Sequence, residues 1–406
     1  MKKTLTIKLF LILLLILPVS LSAYDFGLVV NTNAGYEKGL AEDNALSYEV
    51  DILPRFSTLI GDNGEFILSA GFSIGKDDES FYTPELLRTE FNIRFGNSGI
   101  RIGRINFTDP LSLIANGLFD GIQYYNNTGA GSFYTYVLYT GLLYKEKANI
   151  IMTQDDQAAF YEKFEYNDFF NTYFASRRII SSIGWEHPSI GEFMQLNTTF
   201  IGQTDINKAD TKYHSQYLII KAGIPVNNLF MEFGGSVEFS QIVADKNKSN
   251  MMAFAGDIGL FLLFPSEFNS RLLLKGTISG GAKNDSIGAF IPINARDYGY
   301  VLKTKLPGLS IFTLDYSSKF SNSFSGSLTT SYFVRNDLGT FTGYPIAGDS
   351  EGYYLGPEAS AQITWSPASD LQFNLGGGAF FPSLGNAGSN EKLIWRVDLT
   401  LILLIL

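Results

Sequence analysis

From Tyr24 onward the chain is a succession of short segments in which apolar and polar residues alternate. Successive side chains of a strand point to opposite faces. Leu87, Phe91, Ile93 and Phe95 therefore share one face of a strand, and Arg88, Glu90, Asn92 and Arg94 the other. The same rhythm sets Tyr48, Val50, Ile52 and Phe56 against Glu49, Asp51 and Arg55, and Met231, Phe233, Val237 and Phe239 against Glu232, Ser236 and Glu238. It recurs in Phe66–Ile74, Ala359–Trp365 and Leu371–Ala379. Each segment matches a tilted strand that crosses a bilayer, roughly ten residues long.

The segments are separated by two kinds of connection. Compact Gly-, Pro-, Asn- and Asp-rich runs at 61–64, 96–99, 188–191, 225–228, 265–268, 306–308 and 366–370 have hairpin-turn chemistry. Longer polar stretches lie at 37–46, 76–85, 154–176, 204–212, 244–249, 281–295, 336–352 and 383–391. Short turns at one end and long loops at the other predict an all-β chain: a transmembrane antiparallel up-and-down β-barrel of about 18 strands, within a range of roughly 16–20. Phe160, Phe164 and Phe170 have nearly helical spacing, which predicts a short helix over 154–176, in a surface loop or in a loop that folds into the lumen as a constriction. The last segment alternates Trp395, Val397, Leu399, Leu401 and Leu403 with Arg396, Asp398 and Thr400, as a closing strand would.

The first residues add an address. Lys2, Lys3 and Lys8 precede or open the apolar run Leu9–Leu17; Pro18 breaks it, and small residues lead to Ala23. This is the layout of a secretory signal cleaved near Ala23. It assigns 1–23 to a leader and 24–406 to one barrel domain in a bacterial outer membrane. The leader's apolar run is too short to span a bilayer, and no later run reaches the roughly 18 residues that a spanning helix needs.

Composition supports a sheet with an apolar outer surface: 15% aromatic, only 17% charged, with 40 Gly and no Cys. The absence of Cys excludes disulfides and thiolate metal sites. The formal charge of −10, which becomes −13 without Lys2, Lys3 and Lys8, argues against nucleic acid as a partner.

Arg is the most informative charged residue. Of the 11 in the chain, Arg55, Arg88, Arg94, Arg101, Arg104, Arg178, Arg271, Arg296, Arg335 and Arg396 fall in or beside expected strands. An Arg facing lipid costs roughly 2–4 kcal/mol at the midplane, so most should face an aqueous lumen. There, with Glu90, they would form a solute path, because guanidinium pairs bidentately with carboxylate or phosphate. The other reading is ladder pairing with Glu49, Asp51, Glu90, Glu232, Glu238 and Asp398, which only braces the wall. Arg101 and Arg104 have opposite parity, so a bulge or register change near Gly103 is needed for both to face inward.

Catalysis and metal binding gain little support. His187 and His214, the only histidines, lie in no nucleophile or metal motif. Asp77-Asp78-Glu79 and Asp155-Asp156 lack the ligand spacing of a Ca²⁺ loop. The chain reads as a non-enzyme without metal or cofactor.

Two regions resemble a known family. Ile102-Gly103-Arg104-Ile105-Asn106-Phe107, followed by Asn116-Gly117-Leu118-Phe119-Asp120-Gly121-Ile122, resembles the "GRQ…FDGV" region of alginate-export-type outer-membrane proteins. Leu355-Gly356-Pro357-Glu358, Trp365-Ser366-Pro367 and Gly378-Ala379-Phe380-Phe381-Pro382 resemble their closing hairpin. The resemblance implies a monomeric eighteen-strand barrel with an Arg- and Lys-lined lumen that passes an anionic polysaccharide, and maps motif residues onto Arg104 and Asp120. Asn106 departs from the pattern, so the fold carries over better than the substrate.

The reading is a porin-like channel for small anionic or sugar-like hydrophilic solutes. Its partners would be the outer-membrane bilayer and the barrel-assembly machinery, and it would work as a monomer. The alternatives are a closed structural or surface-interaction barrel (an adhesin or antigen) with acidic, Tyr-rich loops, and a carrier for apolar ligands.

Overall fold

The computed structural model describes residues 24–38, 45–76, 80–244, 247–265, 268–283, 286–338, 351–387 and 392–405. The expected leader, the Asp77-Asp78-Glu79 run and most of the 336–352 loop lie outside them. The described residues form 18 strands. The first nine are β1 (Tyr24–Lys38), β2 (Ala45–Ile60), β3 (Gly64–Lys76), β4 (Ser80–Phe95), β5 (Ser98–Thr108), β6 (Asn116–Thr128), β7 (Gly131–Tyr139), β8 (Arg178–Ile190) and β9 (Met194–Asp205). The others are β10 (Thr211–Val226), β11 (Leu229–Ala244), β12 (Asn247–Phe264), β13 (Ser270–Ser279), β14 (Leu309–Lys319), β15 (Phe324–Arg335), β16 (Tyr354–Ala368), β17 (Leu371–Phe380) and β18 (Ile394–Ile405).

Each strand pairs antiparallel with its sequence neighbours, and β18 pairs with β1 from Leu28↔Ile405 to Lys38↔Trp395. The sheet is therefore a closed up-and-down transmembrane barrel. Closure removes sheet edges, which hydrocarbon cannot satisfy. The alternation sorts as expected: Phe233, Phe239, Ile363, Leu375 and Leu399 are exposed outward, whereas their neighbours Ser236 and Glu238 are buried inside.

The two-length rhythm holds, with local corrections. The run at 306–308 is not a hairpin turn; it ends one long segment, 280–308, that also contains 281–295. The expected loop at 76–85 is mostly strand, because β4 starts at Ser80. Turns at 129–130 and 320–323, and the loop 109–115, complete the pattern. Leu87 also departs from its assigned face. The β3–β4 register slips between Ser69↔Arg88 and Ala70↔Leu86, so Leu86 faces outward while Leu87 packs over Gly71 beside inward-facing Leu53.

One seam interrupts the wall. β4 and β5 pair only over Thr89–Phe95 and Ser98–Arg104. Gly103 marks the parting: its φ is +117°, and a Cβ there would lie 1.8 Å from the Thr89 carbonyl oxygen. This backbone geometry is accessible to Gly. Beyond it β5 and β6 lean inward together, and Ile105, Phe107 and Phe119 join the interior. The freed edge of β4 keeps its partners through side chains. Tyr166 Oη donates to the Tyr82 carbonyl (2.8 Å), Tyr173 Oη to the Pro84 carbonyl (2.5 Å), and Arg104 Nη1 to the Leu86 carbonyl. Pro84 itself has no N–H to leave unsatisfied, the usual role of proline at a strand edge.

Arg104 is thus a wall residue. It is 5% exposed, forks onto Asp120, its register partner (2.9 and 2.8 Å), and donates to the Leu142 carbonyl (2.9 Å). The kink at Gly103 does not turn it into an open lumen; it turns it into the seam. Arg104→Leu should cost roughly 3–5 kcal/mol, as loss of one partner from a buried ion pair does, and Tyr173→Phe about 1 kcal/mol. Urea unfolding in micelles measures both; equal, negligible losses would refute this account of the seam.

Candidate functional site

Three inward segments build a solid core inside half of the barrel. In the first, 109–115, the buried Asp109 carboxylate accepts the N–H groups of Leu111, Ile114 and Ala115 (2.9, 2.8 and 2.9 Å). Burial pushes this carboxyl above its usual range, against the backbone donors that favour its charge. The second is 140–153, which carries the short helix α1 (Lys145–Ala148). The third is 289–308, the part of the segment after β13 that turns inward. Asn149 and Ala295 exchange backbone and side-chain hydrogen bonds, Ile293 N–H donates to the Ile114 carbonyl, and Asn294 clamps the Asn116 backbone (2.9 and 2.7 Å). The segments therefore support one another across the lumen.

Their apolar side chains pack on the inner wall. Leu113, Ile150, Phe290, Ile293 and Leu306 meet Leu138, Ile180, Ile201, Tyr217 and Ile219. Wall carboxylates hold 280–308 in place. Glu238 accepts from Ile291 N–H (2.8 Å) and Tyr213 Oη (2.7 Å), and Glu358 from the N–H groups of Tyr300, Val301 and Leu302 (2.6, 3.0 and 2.8 Å).

The long loop after β7 divides at its root. Thr153 caps the helix α2 (Gln154–Tyr161) in a reciprocal pair with Asp156. Asp156 and Asp205 both pair with Arg178, and all three are almost fully buried. The expected helix is present and lies at the rim, where Tyr161 and Phe170 are exposed, while the preceding residues 140–153 enter the lumen. Arg178 is therefore an anchor for the loop.

The unfilled space runs along the wall from β18 through β1 to β9. A cavity of about 390 Å³ opens near the long loops, lined by Glu37, Glu49, Glu85, Lys147, Lys303 and Arg396. A second, of about 300 Å³, shares Ser73, Glu85, Tyr144 and Lys147 with it. Toward the short turns a third, of about 500 Å³, is lined by Arg101, Gln123, Tyr125, Tyr134, Tyr136 and Asn197.

The arginines named from sequence divide into three groups. Arg55 and Arg94 lie on the inward faces of β2 and β4 with no ion pair among the described residues, and Arg101 lies over the Tyr125 ring (5.8 Å) with a long contact to Glu90 (3.9 Å). Arg88, Arg271 and Arg396 face inward but are matched: Arg88 by Glu90 (2.7 Å), Arg271 by Asp315 (3.2 Å), Arg396 by Asp398 and Glu37 (2.7 Å each). Arg104 and Arg335 are buried, Arg335 against the Gly352 carbonyl (2.5 Å). Arg296 is no strand residue; it sits on 280–308 over Tyr298 (5.8 Å). Glu90, 1% exposed, lies between Arg88 and Arg101 and braces them.

Sequence reasoning missed the lumen lysines Lys147 and Lys303 and the tyrosines Tyr125, Tyr134 and Tyr136. It also missed the apolar core, although Ile179-Ile180 and Leu218-Ile219-Ile220, apolar on both faces, carry its signal. No group of acidic or histidine side chains suited to a metal ion occurs among the described residues.

No protein-family model and no curated protein matches the sequence. Solved structures do match the fold, over almost the whole chain. OccK2 (OpdF) of Pseudomonas aeruginosa aligns at TM-score 0.63 and 12% identity over 95% of this chain and 98% of its own; one of its crystal structures is a complex with glucuronate. OprD of the same organism aligns at TM-score 0.59 and 12% identity over 95% and 94%. These neighbours overturn the resemblance to alginate-export proteins. The motif that suggested it is the Arg104–Asp120 wall pair, which strand geometry explains without a polysaccharide path.

Asp156→Ala should release the loop root, at a local cost of roughly 3–5 kcal/mol. Single-channel recording should then show a larger, noisier conductance; an unchanged trace would remove Asp156 from its anchoring role.

Proposed function

We propose that this barrel is an outer-membrane channel for passive passage of small acidic or sugar-like solutes. The observation that carries the reading is the lane itself. The apolar core fills one side of the barrel, and a polar path lined by Arg101 runs down the other, with Arg55 and Arg94 on the inward faces of β2 and β4 free of ion pairs among the described residues. Low-dielectric walls beside such a path focus the field of these cations on a passing anion. The Tyr, Asn and Gln side chains near Arg101 add flat apolar faces and hydrogen-bonding groups, the combination that a sugar acid presents in return. Glucuronate, bound in a crystal of the OccK2 neighbour, is such a molecule. In this reading the leader 1–23 is removed near Ala23, the barrel-assembly machinery inserts the chain, and one barrel suffices for transport.

The long-loop cavity has a different character. Glu37, Glu49, Glu85 and Glu146 face Lys76, Lys147, Lys303 and Arg396 there, so its charges nearly balance. Arg101 and Glu186 both line the short-turn cavity, so preference for anions rests there on Arg55 and Arg94, toward the short-turn ends of β2 and β4. In planar bilayers the triple variant Arg55→Gln, Arg94→Gln, Arg101→Gln should shift the reversal potential toward cations in about 0.1 M salt, and less in about 1 M, where charges are screened within roughly 3 Å. Arg104→Lys should not shift it. A wild-type protein that never conducts would instead support the closed interaction barrel.

A further inference from the structure

On the outer face of the barrel the long-loop ends of β10 to β12 leave the apolar band. Register sets Lys212 opposite Val243, and Val243 opposite Lys248. They share a face with Leu218, Val237 and Phe254, which are exposed outward. One row lower His214, Gln241 and Asn250 align in the same way, and Gln241 Nε2 donates to Asn250 Oδ1 (2.9 Å). At a strand spacing of ~4.8 Å the Lys212 and Lys248 backbones are ~10 Å apart.

Next to this row is an apolar groove of about 420 Å³ floored by Val237, Met252, Phe254 and Ile278, with Lys283 and Asn336 at its margin. It exists because β13 stops at Ser279 while β12 extends to Asn247. The segment after β13 crosses the gap in place of a strand: Gly280 and Gly288 donate their N–H groups to the Phe254 and Met252 carbonyls. A Cβ at Gly280 would press on the Phe254 ring at 3.2 Å, so the missing side chain keeps the groove open.

Lys212, Lys248 and Lys283 form no ion pair among the described residues. Of the described acids nearby, Asp205 is buried with Arg178 and Asp337 Oδ2 accepts the Ala282 N–H (2.9 Å), while Asp210 is exposed in the β9–β10 loop. Unpaired cations at the margin of an apolar band meet lipid headgroups. Spread over ~10 Å, they suit more than one phosphate. The groove is apolar and suits an acyl chain.

We infer that this face holds one multiply phosphorylated lipid of the leaflet at the long-loop end. Lys212, Lys248 and Lys283 bind its phosphates, and an acyl chain lies in the groove over Phe254 and Ile278. The inference needs the barrel to span a membrane; it does not need the lumen to conduct.

The test uses full-length protein refolded in detergent and titrated with bis-phosphorylated, hexa-acylated lipid A, with native mass spectrometry as the readout. One lipid A should be retained per barrel. Lys212→Gln, Lys248→Gln and Lys283→Gln should each weaken retention about fivefold, and the corresponding Lys→Arg variants should restore it. Heat-dependent gel mobility checks that each variant is a folded barrel. Equal retention of dephosphorylated lipid A, or of phosphatidylglycerol with its single phosphate, overturns the inference on the wild-type protein alone. So does a triple Gln variant, folded, that retains lipid A as well as wild type. Bilayer conductance recorded in parallel separates this outcome from failure of the channel reading.

Discussion

The backbone polar groups of every strand must be satisfied where no water can reach them, and that requirement governs this barrel more than any side chain does. A lone unsatisfied group in hydrocarbon costs several kcal/mol. Most of the wall meets the demand by pairing strand to strand and by closing β18 onto β1. The instructive places are those where pairing stops. At the β4–β5 seam, Tyr166, Tyr173 and Arg104 supply the donors that a strand would have supplied. Above β13, the segment 280–288 supplies backbone groups to β12. Both repairs use long loops, so the loops are part of the wall as well as of the lumen.

The same constraint explains why the interior has buried carboxylates. A loop that enters a barrel brings backbone N–H groups that no strand can satisfy. Asp109 and Glu358 each accept three of them, and Glu238 one together with a tyrosine hydroxyl. These acids look like lumen charges in a sequence, but they are spent on loop geometry. A carboxylate engaged by several donors gives little field to a passing solute, because its charge is already compensated at contact distance.

This accounts for what the sequence revealed and what it concealed. The strand alternation, the terminal strand and the short-turn rhythm depend on contacts between chain neighbours, and the period-two pattern displays them directly; barrel, strand number and orientation of most side chains followed. The site depends on contacts between residues far apart in sequence. Arg178 reads like any strand arginine, yet its partners are Asp156 and Asp205. Arg104 has outward parity from Ile102, yet the departure of β5 from β4 turns it into a seam. Leu87 breaks the alternation because of a slip in register that only its partner strand shows. The loop core was partly legible, since a strand facing both lipid and a packed interior must be apolar on both sides, as Leu218-Ile219-Ile220 is.

Counting arginines therefore overstates the charge that a solute meets. A cation influences passage in proportion to its exposure and to the absence of a fixed counter-ion, not to its presence on the inward face. Arg396 shows the limit: it faces the lane but holds Asp398 and Glu37 together, and Tyr300 completes the group through Asp398 (2.6 Å). Through Tyr300 that ion pair also fixes the tip of 280–308, so its first effect on transport is on the width of the lane. Arg55 and Arg94 have no ion pair among the described residues, and Arg101 has only a long one, to Glu90. In the proposed channel these side chains would exchange one anion for the next, which passage requires: a site that binds a solute as firmly as Asp156 binds Arg178 would retain it.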